Sequence, residues 1–194
     1  MKKSRVEAFS DGVLAIIITI MVLEFHVPHD PTLAGLWPLW PKLLSYALSY
    51  LYVGIYWNNH HHMLHTTKTV SGGILWANLH LLFWLSLVPF GTAWMGENHF
   101  AAAPVGLYGV LLLGAGCAYY IMTRVLLANH APDSLLARAL GRDFKGRISL
   151  LIYAVAIALA FWLPWLSGAL YGLVAAIWLV PDRRFEQVLA VSVR

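Results

Sequence analysis

Charged side chains are scarce in this chain. Lys, Arg, Asp and Glu make up 11% of its 194 residues, whereas soluble globular proteins carry roughly 25%. Hydrophobic residues make up 60%, and the mean hydropathy is +0.68. A soluble fold of this length has too little interior to bury so much apolar surface. The composition therefore predicts an integral membrane protein.

Further absences narrow the class. The chain lacks the alternating segments of about ten residues that are typical of a transmembrane β-barrel, and it has long solid apolar runs instead. A single cysteine, Cys117, excludes an internal disulfide. No small-residue cleavage site follows the first apolar run, so we expect that helix to be retained. No internal repeat or soluble appendage is evident. We predict an all-α membrane protein.

What the chain does contain is a series of long apolar runs. Pro28 and Pro31 stop the first run, and Pro181 stops the last. A spanning helix needs about 20 residues, so the last two runs, which meet at Pro164, are short and form a tight hairpin. The sequence predicts one domain, 1–194, with six transmembrane helices at about residues 6–27, 42–63, 73–94, 101–127, 148–163 and 165–180.

The basic residues are strongly asymmetric across this topology. With six crossings, the two termini and the 2–3 and 4–5 loops share one side and hold 12 of the 13 Lys and Arg residues, which leaves Lys42 on the other side. The positive-inside rule then places both termini in the cytoplasm. Because the net charge of +4 comes from membrane-flanking segments, we expect no nucleic-acid partner. The basic 4–5 loop is expected to contact anionic membrane lipid.

The first apolar run carries one polar residue on an apolar stripe. With Ile16 set at zero, Thr19, Ile20, Leu23 and Val27 all lie within about 60° of it, at 100° per residue. Asp11 and Ser10 lie about 140° and 120° away, and therefore face other neighbours. One interpretation is a helix packed on all sides, with the Thr19 hydroxyl bonded to its own backbone. The other is a stripe that lines an ion pathway.

The residues that open this run carry a resemblance to a known family. Arg5, Phe9, Ser10 and Asp11 form an Arg-x-x-x-Phe-Ser-Asp motif, and Thr19 follows the Asp by eight residues on an Ile-rich helix. This pattern resembles the transmembrane protein 175 family of potassium channels. One six-helix repeat fits the whole chain, which implies the prokaryotic form, a homotetramer in the cell membrane.

The resemblance implies a pore lined by the first helix of each subunit. It places the hydrophobic constriction at Ile16, the selectivity-determining hydroxyl at Thr19, and further pore-lining positions at Ile20 and Leu23. Ile and Leu rings gate by dewetting, and hydroxyls are weaker ligands than stacked backbone carbonyls. We therefore expect a potassium-permeable cation channel with modest preference for K⁺ over Na⁺. It needs no cofactor, and K⁺ and other monovalent cations are its permeant partners.

The motif residues Arg5, Phe9, Ser10 and Asp11 correspond to a structural signature, a polar network that ties the first helix to its neighbours. Buried polar groups need partners. The candidate partners on the second and third helices are Asn58, Asn59, Asn78 and His80. For His80 the alternative is an interior histidine satisfied elsewhere.

A histidine-rich segment, residues 58–65, suggests a metal site at first sight. His61 and His65 are spaced i, i+4, which can place two imidazoles on one helix face. The remaining histidines are scattered singly, unlike the repeated histidine boxes of membrane di-iron enzymes. We expect no metal and no enzyme here, and interpret the segment as a hydrated, pH-sensitive helix end.

The sequence leaves open the role of Glu24 and the choice between a channel and a carrier. Glu24 lies near the outer end of the first helix, where it either concentrates cations at a pore mouth or simply reaches water. The alternative function is a secondary transporter or proton-coupled cation carrier. Such carriers normally have internal repeats, broken helices and midplane charges, and the sequence has no repeat.

Overall fold

The computed structural model describes residues 3–65, 67, 69–129 and 144–179. Its elements are α1 (Lys3–Leu23), a 3-10 helix (Leu33–Leu39), α2 (Trp40–His65), α3 (Gly72–Ser86), α4 (Val88–Glu97), α5 (Ala102–Ala128), α6 (Phe144–Leu159) and α7 (Pro164–Leu179). No strand occurs in these ranges, so the all-α prediction is confirmed for the described chain.

Three segments of the described chain are long and apolar enough to cross a membrane. They are Lys3–Leu23, Gly72–Glu97 and Ala102–Ala128. Pro164–Leu179 is a shorter apolar helix. The count of six crossings therefore stays a prediction, as does the cytoplasmic placement of the termini.

The helix boundaries differ most from the predicted ones in three of the predicted helices. The first helix ends at Leu23, before the prolines that the sequence offers as its stop. The predicted third helix is divided into α3 and α4, with Leu87 between them. Pro89 lies in the first turn of α4 and has no N–H to continue the ladder of α3, which explains the division. The predicted fifth helix is α6 of the structure. It begins at Phe144, inside the stretch expected to be a polar loop, and it ends at Leu159, before the predicted residue 163.

The connections near the predicted outer face are short and capped locally. The backbone N–H of Thr32 donates to Asp30 Oδ1 at 2.9 Å, and this hydrogen bond lowers the pKa of Asp30. His99 and Phe100 have left-handed φ values of 48° and 59°, a conformation that costs non-glycine residues about 1–3 kcal/mol. The buried Phe100 ring packs 5.0 Å from Trp165 and 6.3 Å from Trp40, and burying a phenylalanine offsets about 1.5–3 kcal/mol.

The core lies around α5, which packs against α3, α4, α6 and α7. Helix α1 packs against α2, α3 and α4. The inward residues of α5 include several small side chains, which let neighbouring helices approach closely. Gly106, Gly109, Ala115 and Ala118 are the small ones, and they lie among the larger Tyr108, Tyr119 and Met122.

Buried hydroxyls link helices that lie next to one another. Tyr108 Oη lies 2.8 Å from Ser49 Oγ, and Ser49 Oγ lies 2.6 Å from Thr92 Oγ1, which is also 2.7 Å from the Val88 carbonyl. Tyr52 donates to the Tyr171 carbonyl at 2.6 Å. Because lipid offers no hydrogen-bond partners, such groups must be paired inside the protein. These bonds fix α2, α4, α5 and α7 relative to one another.

Candidate functional site

Helix α1 has one face packed on its own subunit and an opposite face that is largely exposed. Its buried residues follow one side of the helix: Val6, Ser10, Leu14, Ile17 and Met21. The predicted stripe lies away from them, with Ile16 58%, Ile20 40% and Leu23 77% exposed. Val27, just beyond the helix, is 86% exposed. Apolar side chains in such a row need lipid or another protein copy against them.

Thr19 lies on this exposed face. Its hydroxyl is within 3.0 Å of the carbonyls of both Ala15 and Ile16. The hydroxyl proton is thus directed at the helix backbone, while the oxygen keeps acceptor capacity on the exposed side. The two interpretations of Thr19 are therefore compatible, because the backbone hydrogen bond orients an oxygen outwards.

A buried hydrogen-bond network holds the opposite side of α1. Asn78 Nδ2 donates to Ser10 Oγ at 3.0 Å, and His60 Nε2 lies 2.6 Å from Asn78 Oδ1. All three side chains are buried. The network joins α1, α3 and α2 at one point. Asn78 is the predicted partner of the motif, whereas the sequence does not distinguish His60 from the other histidines of residues 58–65.

The other motif residues lie outside this buried network. Trp57 Nε1 donates to Asp11 Oδ1 at 3.0 Å on the exposed side of α1 and α2. Phe9 is exposed, and so is Arg5. No described residue forms a polar contact with the Arg5 guanidinium. The motif therefore divides into one buried contact (Ser10), one exposed contact (Asp11) and two exposed side chains, Arg5 and Phe9, for which the described residues supply no polar partner.

The assignment of His80 to the network is corrected by the structure. His80 is exposed, and its Nε2 accepts a hydrogen bond from Trp84 Nε1 at 3.1 Å. Residues 78 and 80 lie about 200° apart on a helix, so one of them faces away when the other faces α1. Asn58 is exposed, and Asn59 donates to the Ile55 carbonyl at 2.8 Å. Neither contacts the motif in the described chain.

The histidine-rich segment does not bring metal ligands together. His60 points into the buried network, while His61 and His65 are exposed with ring centroids 6.1 Å apart. Within the described ranges, no group of three or more His, Cys, Asp or Glu side chains could hold a metal ion. Lys3 Nζ donates to the carbonyl of His65 at 2.9 Å, which satisfies the last turn of α2.

Glu24 lies at the end of the stripe. A groove between α1 and the α3–α4 junction is lined by Ile16, Ile20 and Glu24 on one side and by Pro89 and Phe90 on the other. Glu24 is exposed, and in the described chain it forms no ion pair. A nearby ion pair joins Lys42 and Glu97 at 3.1 Å. A carboxylate without a cation partner therefore borders the exposed face of α1.

Comparison with known proteins then decides the family. The chain is 52% identical to a potassium channel of Chryseobacterium sp. (strain P1-3), over 97% of this chain and 98% of that one. Residues 5–89 match the family model described as endosomal/lysosomal potassium channel TMEM175. The chain belongs to the TMEM175 family. The predicted resemblance is confirmed, and with it the assignment to the membrane.

Other relatives of this TMEM175 chain cover most of its length. A potassium channel of Streptomyces collinus (strain DSM 40733 / Tue 365) is 34% identical over 90% of both chains. The fold is similar to the crystal structure of a lysosomal potassium-selective channel TMEM175 homolog from Chamaesiphon minutus. That match has a TM-score of 0.79 and 29% identity, and it covers 93% of this chain and 97% of the other. The likeness therefore extends beyond the motif to the whole bundle.

Proposed function

We propose that this TMEM175 protein is a potassium-permeable cation channel of a bacterial cell membrane, without covalent chemistry. The observation that carries the proposal is the exposed face of α1, where Ile16, Thr19 and Ile20 are only partly covered by their own subunit. Its relatives named potassium channels support the ion. Each subunit crosses the membrane six times, with both termini in the cytoplasm.

In this proposal four copies assemble around a common axis, and α1 of each copy turns its exposed face towards that axis. The arrangement gives the apolar row on α1 a partner other than lipid. It also brings four copies of Thr19 and four copies of Ile16 to the same two levels of one pathway. The pore is incomplete in a single subunit, since one α1 supplies one quarter of its wall.

The Ile16 ring forms the hydrophobic constriction, with Ile20 and Leu23 further along the pathway. Water leaves a narrow apolar ring readily, and ions then meet a dewetting barrier. The Thr19 oxygens lie one turn away and replace part of the lost hydration. Because their protons are directed at the backbone, the oxygens are free to accept a cation. Hydroxyl rings are weak ligands, so the preference for K⁺ over Na⁺ is modest.

Glu24 borders the far end of the same face, where a carboxylate attracts cations electrostatically. Four copies around the axis raise the local cation concentration at the outer mouth. This role for Glu24 rests on the proposed assembly, because in one subunit the side chain only reaches solvent.

The test is to reconstitute the purified protein in a planar bilayer and to record current under opposing KCl and NaCl gradients. The proposal predicts discrete unitary currents that reverse at the voltage expected for a modest K⁺ preference. Saturable uptake that requires a second driving ion, with no unitary current, would support the secondary transporter instead. The histidine-rich segment plays no part in either outcome.

A further inference from the structure

A cavity of about 40 Å³ lies inside the helix bundle, separate from the face of α1. None of its lining residues belongs to α1; they come from α2, α5, α6 and α7. It lies towards the ends of these helices that are predicted to face the cytoplasm. Residues of its wall that matter here are Tyr56, Asn59, Gly116, Ser149, Leu150 and Trp178.

One hydroxyl on this wall has no hydrogen-bond partner among the described residues. Tyr56 is only 9% exposed, and no described residue forms a hydrogen bond with its Oη, which lies close to Gly116. The neighbouring tyrosines differ, because Tyr52 donates to the Tyr171 carbonyl and Tyr153 donates to Tyr52. Burying a hydroxyl without a partner is costly, so something in the cavity is needed to pair with it.

Asn59 offers a second polar atom from the same helix. Its Nδ2 donates to the Ile55 carbonyl at 2.8 Å, whereas no described residue donates to its Oδ1. Residues 56 and 59 are spaced i, i+3 and share one face of α2. Tyr56 and Asn59 therefore offer one donor and one acceptor, which is what a hydroxyl group pairs with.

The rest of the wall is mostly apolar, with Ile55, Leu150 and the rings of Tyr119, Tyr120 and Trp178. Trp178 Nε1 donates to Ser149 Oγ at 2.9 Å, so it has no hydrogen left for a ligand. Since about 10–15 Å³ of such space holds one water-sized group, the cavity has room for about three. Several waters would have too few polar partners there, because each needs about two to four. A lipid chain would leave Tyr56 and Asn59 unpaired.

We propose that this cavity binds a short-chain alcohol of about four or five non-hydrogen atoms, since bonded atoms lie closer together than separate waters. The ligand hydroxyl accepts from Tyr56 and donates to Asn59, and its alkyl part packs on Leu150 and Trp178. This site is independent of the proposed pore, and the binding measurement needs no ion flux.

The first experiment uses diazirinylmethanol, a photolabel of this size, on the full-length protein in lipid vesicles. Label should be found by mass spectrometry in the α2, α5 and α6 peptides of the cavity, and unlabelled butan-1-ol should compete while octan-1-ol does not. Tyr56→Phe should weaken labelling about fivefold, the effect of one lost hydrogen bond. Because the Tyr56 hydroxyl has no described protein partner, this variant should fold normally. Tyr50→Phe, the same change at an exposed position of α2, is the matched control.

A second variant fills the space instead of removing the hydroxyl. A Cβ at Gly116 would lie 2.9 Å from the flexible end of Leu150, so Gly116→Ala narrows the cavity. It should lower labelling at least as much as Tyr56→Phe does. Gly172→Ala is its control, since a Cβ there meets nothing within 4 Å. Three results would each overturn the proposal. The label is found on lipid-facing residues, both cavity variants leave the labelling unchanged, or water exchanges with the cavity and butan-1-ol does not displace it.

Discussion

His60 Nε2 lies 2.6 Å from Asn78 Oδ1, so that α2 and α3 are joined directly behind α1. Asn78 Nδ2 in turn donates to Ser10 of α1 at 3.0 Å. Ser10 lies about 120° from Ile16 around the helix axis. The network therefore fixes the rotation of α1, and with it the direction in which Ile16 and Thr19 face.

Removing Asn78 should destabilise the subunit. Asn78→Ala leaves both His60 and Ser10 without their shared partner, and an unpaired buried polar group costs about 1–3 kcal/mol. We expect a lower thermal unfolding midpoint in detergent, measured by intrinsic tryptophan fluorescence. Asn58→Ala, an exposed asparagine of α2, is the control and should leave the midpoint unchanged. An Asn78→Ala protein as stable as Asn58→Ala would show that the network does not hold α1.

Asp11 should matter more for assembly than for selectivity. Its carboxylate accepts from Trp57 on the side of α1 that lies about 140° from Ile16, so it does not face the proposed pathway. Asp11→Ala and Trp57→Phe should both reduce the fraction of tetramer, measured by light scattering of the detergent-solubilised protein. Channels that do assemble should keep their K⁺/Na⁺ permeability ratio. Normal assembly with altered ion preference would contradict this role.

Ile16 should set the barrier to conduction. Ile16→Asn places an amide in the apolar ring, which favours hydration of the constriction. If the barrier falls by about 1 kcal/mol, current rises about fivefold. The measurement is macroscopic K⁺ current in reconstituted bilayers at equal protein density. Val22→Asn is the control, because Val22 is also exposed but lies about 120° from Ile16. Equal current from wild type and Ile16→Asn would remove Ile16 from the constriction.

Thr19 should set the preference for K⁺. Thr19→Val keeps the branched shape and removes the oxygen, and a loss of about 1 kcal/mol of differential coordination lowers the K⁺/Na⁺ permeability ratio about fivefold. Conduction itself should be retained. Reversal potentials under bi-ionic conditions report the ratio directly. Thr19→Ser, which keeps the hydroxyl, should preserve it, and an unchanged ratio in Thr19→Val would exclude the hydroxyl ring.

Some features could be predicted from the sequence because they depend on periodicity. The stripe from Ile16 to Leu23 repeats every three or four residues, and the structure leaves that stripe uncovered. The sequence predicts one helix where the structure has α3 and α4, because the apolar run continues through both helices. Pro89 indicates the division at Leu87. The predicted start of α6, at about residue 148, is later than the observed start at Phe144. Lys145 and Arg147 are charged, so the first turn of α6 resembles the polar stretch before it.

The network partner depended on direction around a helix as well as on residue type. Asn78 and His80 are both polar residues of an apolar run, but they lie about 200° apart and cannot both face α1. His60 is one of several neighbouring histidines, and the packing of the helices determines that this one is buried. That Tyr56 Oη and Asn59 Oδ1 have no hydrogen-bond partner among the described residues could not be predicted at all, since it depends on how four helices meet.

The central claim, that copies of α1 surround the ion pathway with one face, can be tested by cysteine accessibility. Cys117 is the single cysteine, so Cys117→Ser supplies a background for Ile16→Cys, Thr19→Cys, Ile20→Cys and Leu23→Cys. A cationic thiol reagent should block K⁺ current at these positions and not at Val22→Cys. Block at Val22→Cys with none at Ile16→Cys and Thr19→Cys would contradict the account.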